Sequence, residues 1–341
     1  MVPHLRLLAA CLAFVNAVGF GRAVYAGTLS VFPKTVQLSD PFARRQLLIE
    51  ADGRDATREA KFVSSQPNIA TVDEAGYVTP VADGSAEISV SVGGLTATIP
   101  VKVSGTANGR SVDFSTEIVP LLSRFGCNAG GCHGKQNGQN GFQLSLFGFD
   151  TEFDYAALVK EARGRRVTVS NASGSLLLRK AVGAVPHGGG RRMEVGSEPY
   201  RLFLSWIESG APASSPEVPH VVKLHVFPKE RVLSASTLTR SASEGDPSSR
   251  AVGRPPSLTL RVSGGGTQQQ LAVIAEYSNG SQRDVTRQAD YSSNLDVVAT
   301  VSTDGFVSTT GQSGEAAIMT RYMGQVAVFM ALVPHGEPLK E

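Results

Sequence analysis

The chain has 341 residues, of which 36 are Gly, 3 are Cys and 18% are charged, with a formal net charge of +2. At roughly 100–200 residues per domain this length holds two or three domains, and a hydrophobic content of 41% supplies their cores and excludes a wholly disordered chain. No basic excess is present to hold a nucleic-acid backbone, and three cysteines do not make a disulfide-dense mini-protein.

Residues 1–26 read as a secretory signal peptide. A short start with Arg6 leads into a mostly apolar stretch over Leu7–Phe20, and Val24-Tyr25-Ala26 offers small residues before a cleavage point at Gly27. The apolar run is short for a membrane span, which needs about 20 residues, and no later stretch is long and apolar enough. The expectation is therefore a secreted, periplasmic or cell-surface protein with no transmembrane span in the mature chain. Removing 1–26 takes away Arg6, Arg22 and no acid, so 32 basic residues become 30 against 30 acidic ones. It also removes Cys11, leaving Cys127 and Cys132.

Residues 27–104 read as a small β domain. Ala86–Val90 and Leu95–Val103 are strand-length runs rich in Val, Ile and Thr, separated by Gly93-Gly94. Much of this segment recurs later. Leu29-Ser-Val-Phe-Pro-Lys34 returns as Leu224-His-Val-Phe-Pro-Lys229, and Asp55-Ala-Thr-Arg58 with Phe62 returns as Asp284-Val-Thr-Arg287 with Tyr291. Ala70-Thr-Val72 and Gly76-Tyr-Val78 return as Ala299-Thr-Val301 and Gly305-Phe-Val307. Phe62 and Tyr291 are expected core aromatics.

Residues 111–213 differ in texture and predict a small α-rich unit with Gly-rich loops. Helix-like spacing covers Asp113–Phe125, Tyr155–Ala162 and Pro199–Ile207, with Gly210 as a stop. Within it stands Gly126-Cys127-Asn-Ala-Gly-Gly-Cys132-His133-Gly134. Two cysteines followed at once by His suit covalent haem attachment. The thiols add to two vinyl groups, and the adjacent imidazole reaches the iron from the proximal side. Four residues separate the cysteines here instead of the usual two, and Gly130 and Gly131 can fold the extra length aside. His187, in Pro186-His187-Gly188-Gly189-Gly190, is the distal candidate, and Met193 is the less favoured one. Other readings stay open. Two cysteines five positions apart in an oxidising compartment suit a disulfide, zinc lacks a clear fourth ligand, and Gly188–Arg192 suits an anion-binding nest. Trp206 is expected to pack between the helices.

Residues 220–334 form the second copy of the β domain. Leu271–Tyr277, the Asn279-Gly280 turn, Arg283–Thr286 and Val326–Val333 carry its strand pattern. The offset between copies grows from 195 (Leu29 to Leu224) to 229 (Asp55 to Asp284), so about 34 residues have been gained. Residues 234–267, with eight Ser, four Arg and Gly264-Gly265-Gly266, read as that insert and as a disordered loop. Asn171-Ala-Ser173 and Asn279-Gly-Ser281 fit a glycosylation pattern.

Asp55-Ala-Thr57, Ser64-Ser65, Ile69-Ala-Thr-Val72, Gly76-Tyr-Val78, Gly84 and their partners resemble bacterial Ig-like domains of group 2, which implies β-sandwiches acting as spacer or interaction modules. The whole arrangement is similar to the N-terminal part of large secreted planctomycete proteins. The residues that carry this are Phe114–Leu122, Cys127–Gly134, Gly141–Leu146, Pro186–Gly190 and Trp206-Ile207 with Gly210-Ala-Pro212. That resemblance implies a cytochrome c-like segment between the Ig-like domains. Family members usually continue into two further domains, whereas this sequence stops at Glu341, which suggests a truncated or split product.

The expected fold is thus mainly β with an α-rich insert, two Ig-like sandwiches flanking a small cytochrome c-like domain. The expected function is an exported protein that binds haem c through Cys127, Cys132, His133 and His187, for electron transfer or redox sensing with an unknown redox or cell-surface partner. The alternative is a structural or adhesive Ig-like surface protein with a Cys127–Cys132 disulfide and no haem. No Ser-His-Asp set, paired catalytic carboxylates, P-loop or dinucleotide fingerprint is visible, so no enzyme is expected.

Overall fold

A computed structural model describes residues 27–107, 111–235 and 266–335. The expected signal peptide and most of the expected 234–267 insert lie outside the described residues. The described residues are mainly β, with six small sheets and few helices among them.

Alternation of apolar and polar residues makes the long strands. Gly84–Val92 and Leu95–Val103 bury every second side chain, as a half-buried strand requires. They pair antiparallel across Gly93-Gly94, both at positive φ (56° and 87°), which a two-residue hairpin turn demands and glycine permits. In the first copy one sheet runs Val36–Leu38, Leu95–Val103, Gly84–Val92, Lys61–Ser64, faced by Leu29–Phe32, Leu48–Ala51, Arg54–Asp55. The second copy repeats that strand order with Glu230–Val232, Gln325–Val333, Gly314–Tyr322, Asp290–Ser293 and with Val221–Phe227, Ala272–Tyr277, Gln282–Asp284. Each copy encloses its own apolar core.

The recurring Gly-aromatic-Val motif has a packing cause. Gly76 and Gly305 have φ of +75° and +77°, and a Cβ there would lie 3.0 Å from the Phe62 ring and 2.9 Å from the Tyr291 hydroxyl. Both aromatics are only partly buried, lying at the margins of the two cores.

The two copies are joined by a reciprocal pair of bonds. Asp284 Oδ2 accepts the Gln46 main-chain N–H at 2.7 Å, and Asp55 Oδ2 accepts the Gln270 N–H at 2.6 Å. In each case the other carboxylate oxygen accepts from the Thr two residues on, Thr286 or Thr57. That Thr hydroxyl in turn accepts a strand N–H, from Val273 or Ile49. The repeated Asp-x-Thr therefore serves both the turn and the seam.

The chain leaves the second copy and returns to it at one point, since Ser234 N donates to Gly266 O at 3.1 Å. Such a loop inserts at small entropic cost.

A third apolar core belongs to the helical unit. Its helices are α1 (Val119–Arg124), α2 (Thr151–Tyr155), α3 (Leu176–Ala181) and α4 (Glu198–Glu208). Trp206 of α4 is fully buried, with its indole N–H donated to Pro212 O at 2.9 Å and its ring 5.3 Å from Phe114. The helix expected at Tyr155–Ala162 starts four residues earlier, because Asp150 caps it by accepting the Phe153 N–H. It then widens over Ala156–Lys160 and breaks at Ala162 and Arg163, both at positive φ.

Candidate functional site

The cysteine segment hangs from the end of α1. Gly126, at φ +67°, donates to Ser123 O, and Cys127 N donates to Leu122 O. These two bonds are the αL glycine termination of a helix, and they set the Cys127 side chain against the helical core. The next turn closes on itself through Cys132 N to Ala129 O and His133 N to Cys127 O, each at 2.9 Å. Gly134 has no room for a side chain, since a Cβ would sit 1.9 Å from Asn128 O.

His187 comes from a second loop that is pinned at its base. Ala181 O, at the end of α3, accepts from both Arg192 N and Met193 N, while Lys180 Nζ donates to Pro186 O at 2.7 Å.

These two loops face each other across a cleft of about 680 Å³, within the range of small-molecule and cofactor sites. Cys127, Cys132, His133 and His187 all line it. The imidazoles of His133 and His187 lie 6.5 Å apart, centroid to centroid, with only 7° between their planes. Each Nδ1 is committed to a main-chain carbonyl, His133 to Phe142 O at 3.0 Å and His187 to Gly190 O at 2.9 Å. A carbonyl can only accept, so each Nδ1 carries a proton, and in the neutral ring Nε2 is the atom left with a lone pair. A histidine that ligates a metal through Nε2 commonly donates its Nδ1–H to a main-chain carbonyl in this way. Burial pushes the His133 pKa below its usual value, which favours the neutral ring.

Cys127 and Cys132 stand side by side in this cleft as unbonded cysteines. Burial pushes the Cys127 thiol up to about 11, so it is un-ionised at neutral pH. Met193, the less favoured distal candidate, is packed in the helical core and does not line the cleft. The structure therefore brings together both cysteines and both histidines and takes Met193 out of the set.

Sequence reasoning missed Phe142 and Arg166 and placed Arg192 only in a candidate anion-binding nest. The Phe142 ring lies 4.5 Å from that of His133, and the Arg166 guanidinium covers the same Phe142 ring at 4.5 Å. Arg166 is buried and donates to Ala157 O and Gly141 O, both at 2.6 Å. Arg192 Nη2 stands 4.0 Å from Cys132 Sγ. The runs Arg163-Gly-Arg-Arg166 and Arg191-Arg192 were the available signal.

Residues 58–105 match the bacterial Ig-like domain family, so the chain contains such a domain there. No curated protein matches the chain. Among solved structures, the S-layer protein rSbsC(31-844) overlaps 93% of this chain at 12% identity and a TM-score of 0.23, and the chain spans 28% of its length. Domains 5–6 of the S-layer protein SbsC give 12% identity, a TM-score of 0.31, and coverage of 90% of this chain and 98% of theirs. InvD of Yersinia pseudotuberculosis gives 10%, 0.16, 90% and 57%. Overlaps this loose carry no argument about function. Among the described residues no helix is long and apolar enough to cross a membrane, and no group of three or more His, Cys, Asp or Glu gathers to hold a metal ion.

Proposed function

We propose that the chain is an exported, cell-surface Ig-like protein whose helical unit carries a c-type haem for electron transfer or redox sensing. The observation that carries this reading is the parallel His133–His187 pair across a cleft that also holds two free thiols. The donor set fits the group. Two imidazoles, each with Nδ1 bonded to a main-chain carbonyl, face one cavity, Gly131, Gly188 and Gly189 leave its wall open to a flat ring, and Leu122, Leu158, Leu176 and Leu177 make it apolar. In this reading the sequence similarity to cytochrome c-like segments applies to residues 111–213, and the two sandwiches are spacer or interaction modules.

Haem supplies a one-electron iron couple when bound. Cys127 and Cys132 would hold it through thioether links to its two vinyl groups, and His133 and His187 would supply the iron's two protein nitrogen donors, a pairing that would suit electron transfer. Phe142, braced by Arg166, fixes the His133 ring and keeps water from it. No part of this is bond-making on an organic substrate, and the Ig-like domain at 58–105 is a structural module, so the protein is not an enzyme.

Expression with its leader in a host that matures c-type cytochromes, followed by a haem stain after denaturing electrophoresis, tests the reading. A stained band that disappears with Cys127→Ala/Cys132→Ala supports it. A colourless protein of full mass supports the second reading instead, a structural or adhesive surface protein without a cofactor, which the Ig-like match favours.

A further inference from the structure

The cleft has a charge imbalance that iron ligation does not use. Its lining includes four cationic side chains, Arg165, Arg166, Lys180 and Arg192, and no Asp or Glu. Cations gathered on an apolar wall repel one another and lose hydration, so such a wall suits an anionic occupant.

Two of the four are already committed. Arg166 is buried, bonded to two carbonyls, stacked on Phe142 and 3.8 Å from Glu161. Arg192 stands at the cysteine end, against the Cys132 sulfur. The other two have donors to spare. Arg165 is exposed and makes no side-chain hydrogen bond or ion pair among the described residues. Lys180 uses one of its three ammonium donors on Pro186 O, which holds its head in place at the base of the His187 loop.

We propose that Arg165 and Lys180 form a clamp for the two carboxylates of a tetrapyrrole dicarboxylate. This rests on the haem reading above. In haem the two thioether-forming vinyls sit on one edge and the two propionates on the opposite edge. With the vinyls held at Cys127 and Cys132, the carboxylates would fall to the cleft cations that are not engaged at the cysteines, Arg165 and Lys180. Arg165 offers a planar fork that matches a carboxylate, and Lys180 a point charge. The clamp selects the orientation of the ring, because the flipped ring would bring carboxylates to the thiols.

The test uses the full chain with Cys127→Ala/Cys132→Ala, so that binding is reversible. It is titrated with ferric protoporphyrin IX and, separately, with its dimethyl ester, and the Soret band is followed. The clamp predicts that the diacid binds at least about tenfold more tightly than the ester. Arg165→Gln/Lys180→Gln should bring the diacid down to the ester's level and leave the ester unchanged. Arg165 is exposed, so its single replacement keeps the fold and gives a partial loss even if the double variant misfolds. Equal binding of diacid and ester, or equal weakening of both by the substitutions, overturns the clamp while the haem reading stands. No band from either porphyrin overturns the haem reading and the clamp with it.

Discussion

Arg283, on the second sandwich, donates to Glu117 at the start of the helical unit at 2.8 Å. The same guanidinium donates to Asp40 of the first sandwich at 3.0 Å, so one side chain ties all three cores together. Burial alone would lower the Arg283 pKa, but Glu117 and Asp40 outweigh it and hold the guanidinium above its usual range. Glu117 is nearly buried and also accepts the Asp113 N–H.

Arg283→Met leaves that carboxylate buried without its cation. Breaking a buried pair costs about 3–5 kcal/mol, and the partial exposure of Arg283 brings the expected loss to about 2–3 kcal/mol. Denaturant unfolding measures it. Adding Glu117→Gln to Arg283→Met should recover part of the loss, and a further loss would contradict the pairing.

The seam between the sandwiches gives a second prediction. Asp284→Asn and Asp55→Asn keep size and shape, but one amide orientation turns an NH2 toward the N–H of Gln46 or Gln270, and the other loses the Thr bonds. Each should lower stability by about 1–3 kcal/mol. Similar shifts in thermal midpoint for the two variants would match the pseudo-symmetry of the copies. An effect from one alone would not.

The copies and their seam differ in how far they could be read from the chain. Strand runs, the Gly93-Gly94 hairpin and the repeat were legible because alternation and turn chemistry are local. The seam was not, because Gln46 and Asp284 are 238 residues apart and neither residue type announces a partner. In the helical unit, α4 was legible from its apolar stripe, while the break at Ala162 and Arg163 has no Gly or Pro on those positions to signal it. Cys127, Cys132 and His133 were legible as a motif, and His187 by its glycines. That Met193 turns inward is a tertiary outcome, as is the stacking of Arg166 on Phe142 24 positions away.

Within the motif, Gly134 and Gly131 make contrasting positions. A Cβ on Gly134 would strike Asn128 O, whereas one on Gly131 would meet nothing within 4 Å. Gly134→Ala should cost about 1–3 kcal/mol, as overpacking does, and displace the His133 turn. Gly131→Ala should leave the unfolding free energy within about 0.5 kcal/mol of the parent.

His133 gives the pH dependence. Burial lowers its folded-state pKa, with His187, Arg166 and Lys135 nearby adding to the effect. The unfolded ring takes a proton near pH 6.5 that the folded ring resists. The stability of the haem-free Cys127→Ala/Cys132→Ala chain should therefore be flat in this respect above pH 6.5. It should fall as the pH drops from 6.5 through the lowered folded midpoint. The His133 ring proton signals should titrate below 6.5, and His133→Gln should remove that slope. A midpoint at or above 6.5 would contradict the buried, neutral ring.

The central claim is that His133 and His187 are the two axial ligands of a haem held by Cys127 and Cys132. The most direct measurement is the visible absorption spectrum and intact mass of the purified mature chain, made where c-type haem is attached. The account predicts a mass increase of one haem, a six-coordinate low-spin spectrum, and loss of that low-spin signature in His187→Ala with the haem still covalently bound. A chain without added mass, or one whose spectrum is unchanged in both His133→Ala and His187→Ala, would contradict it.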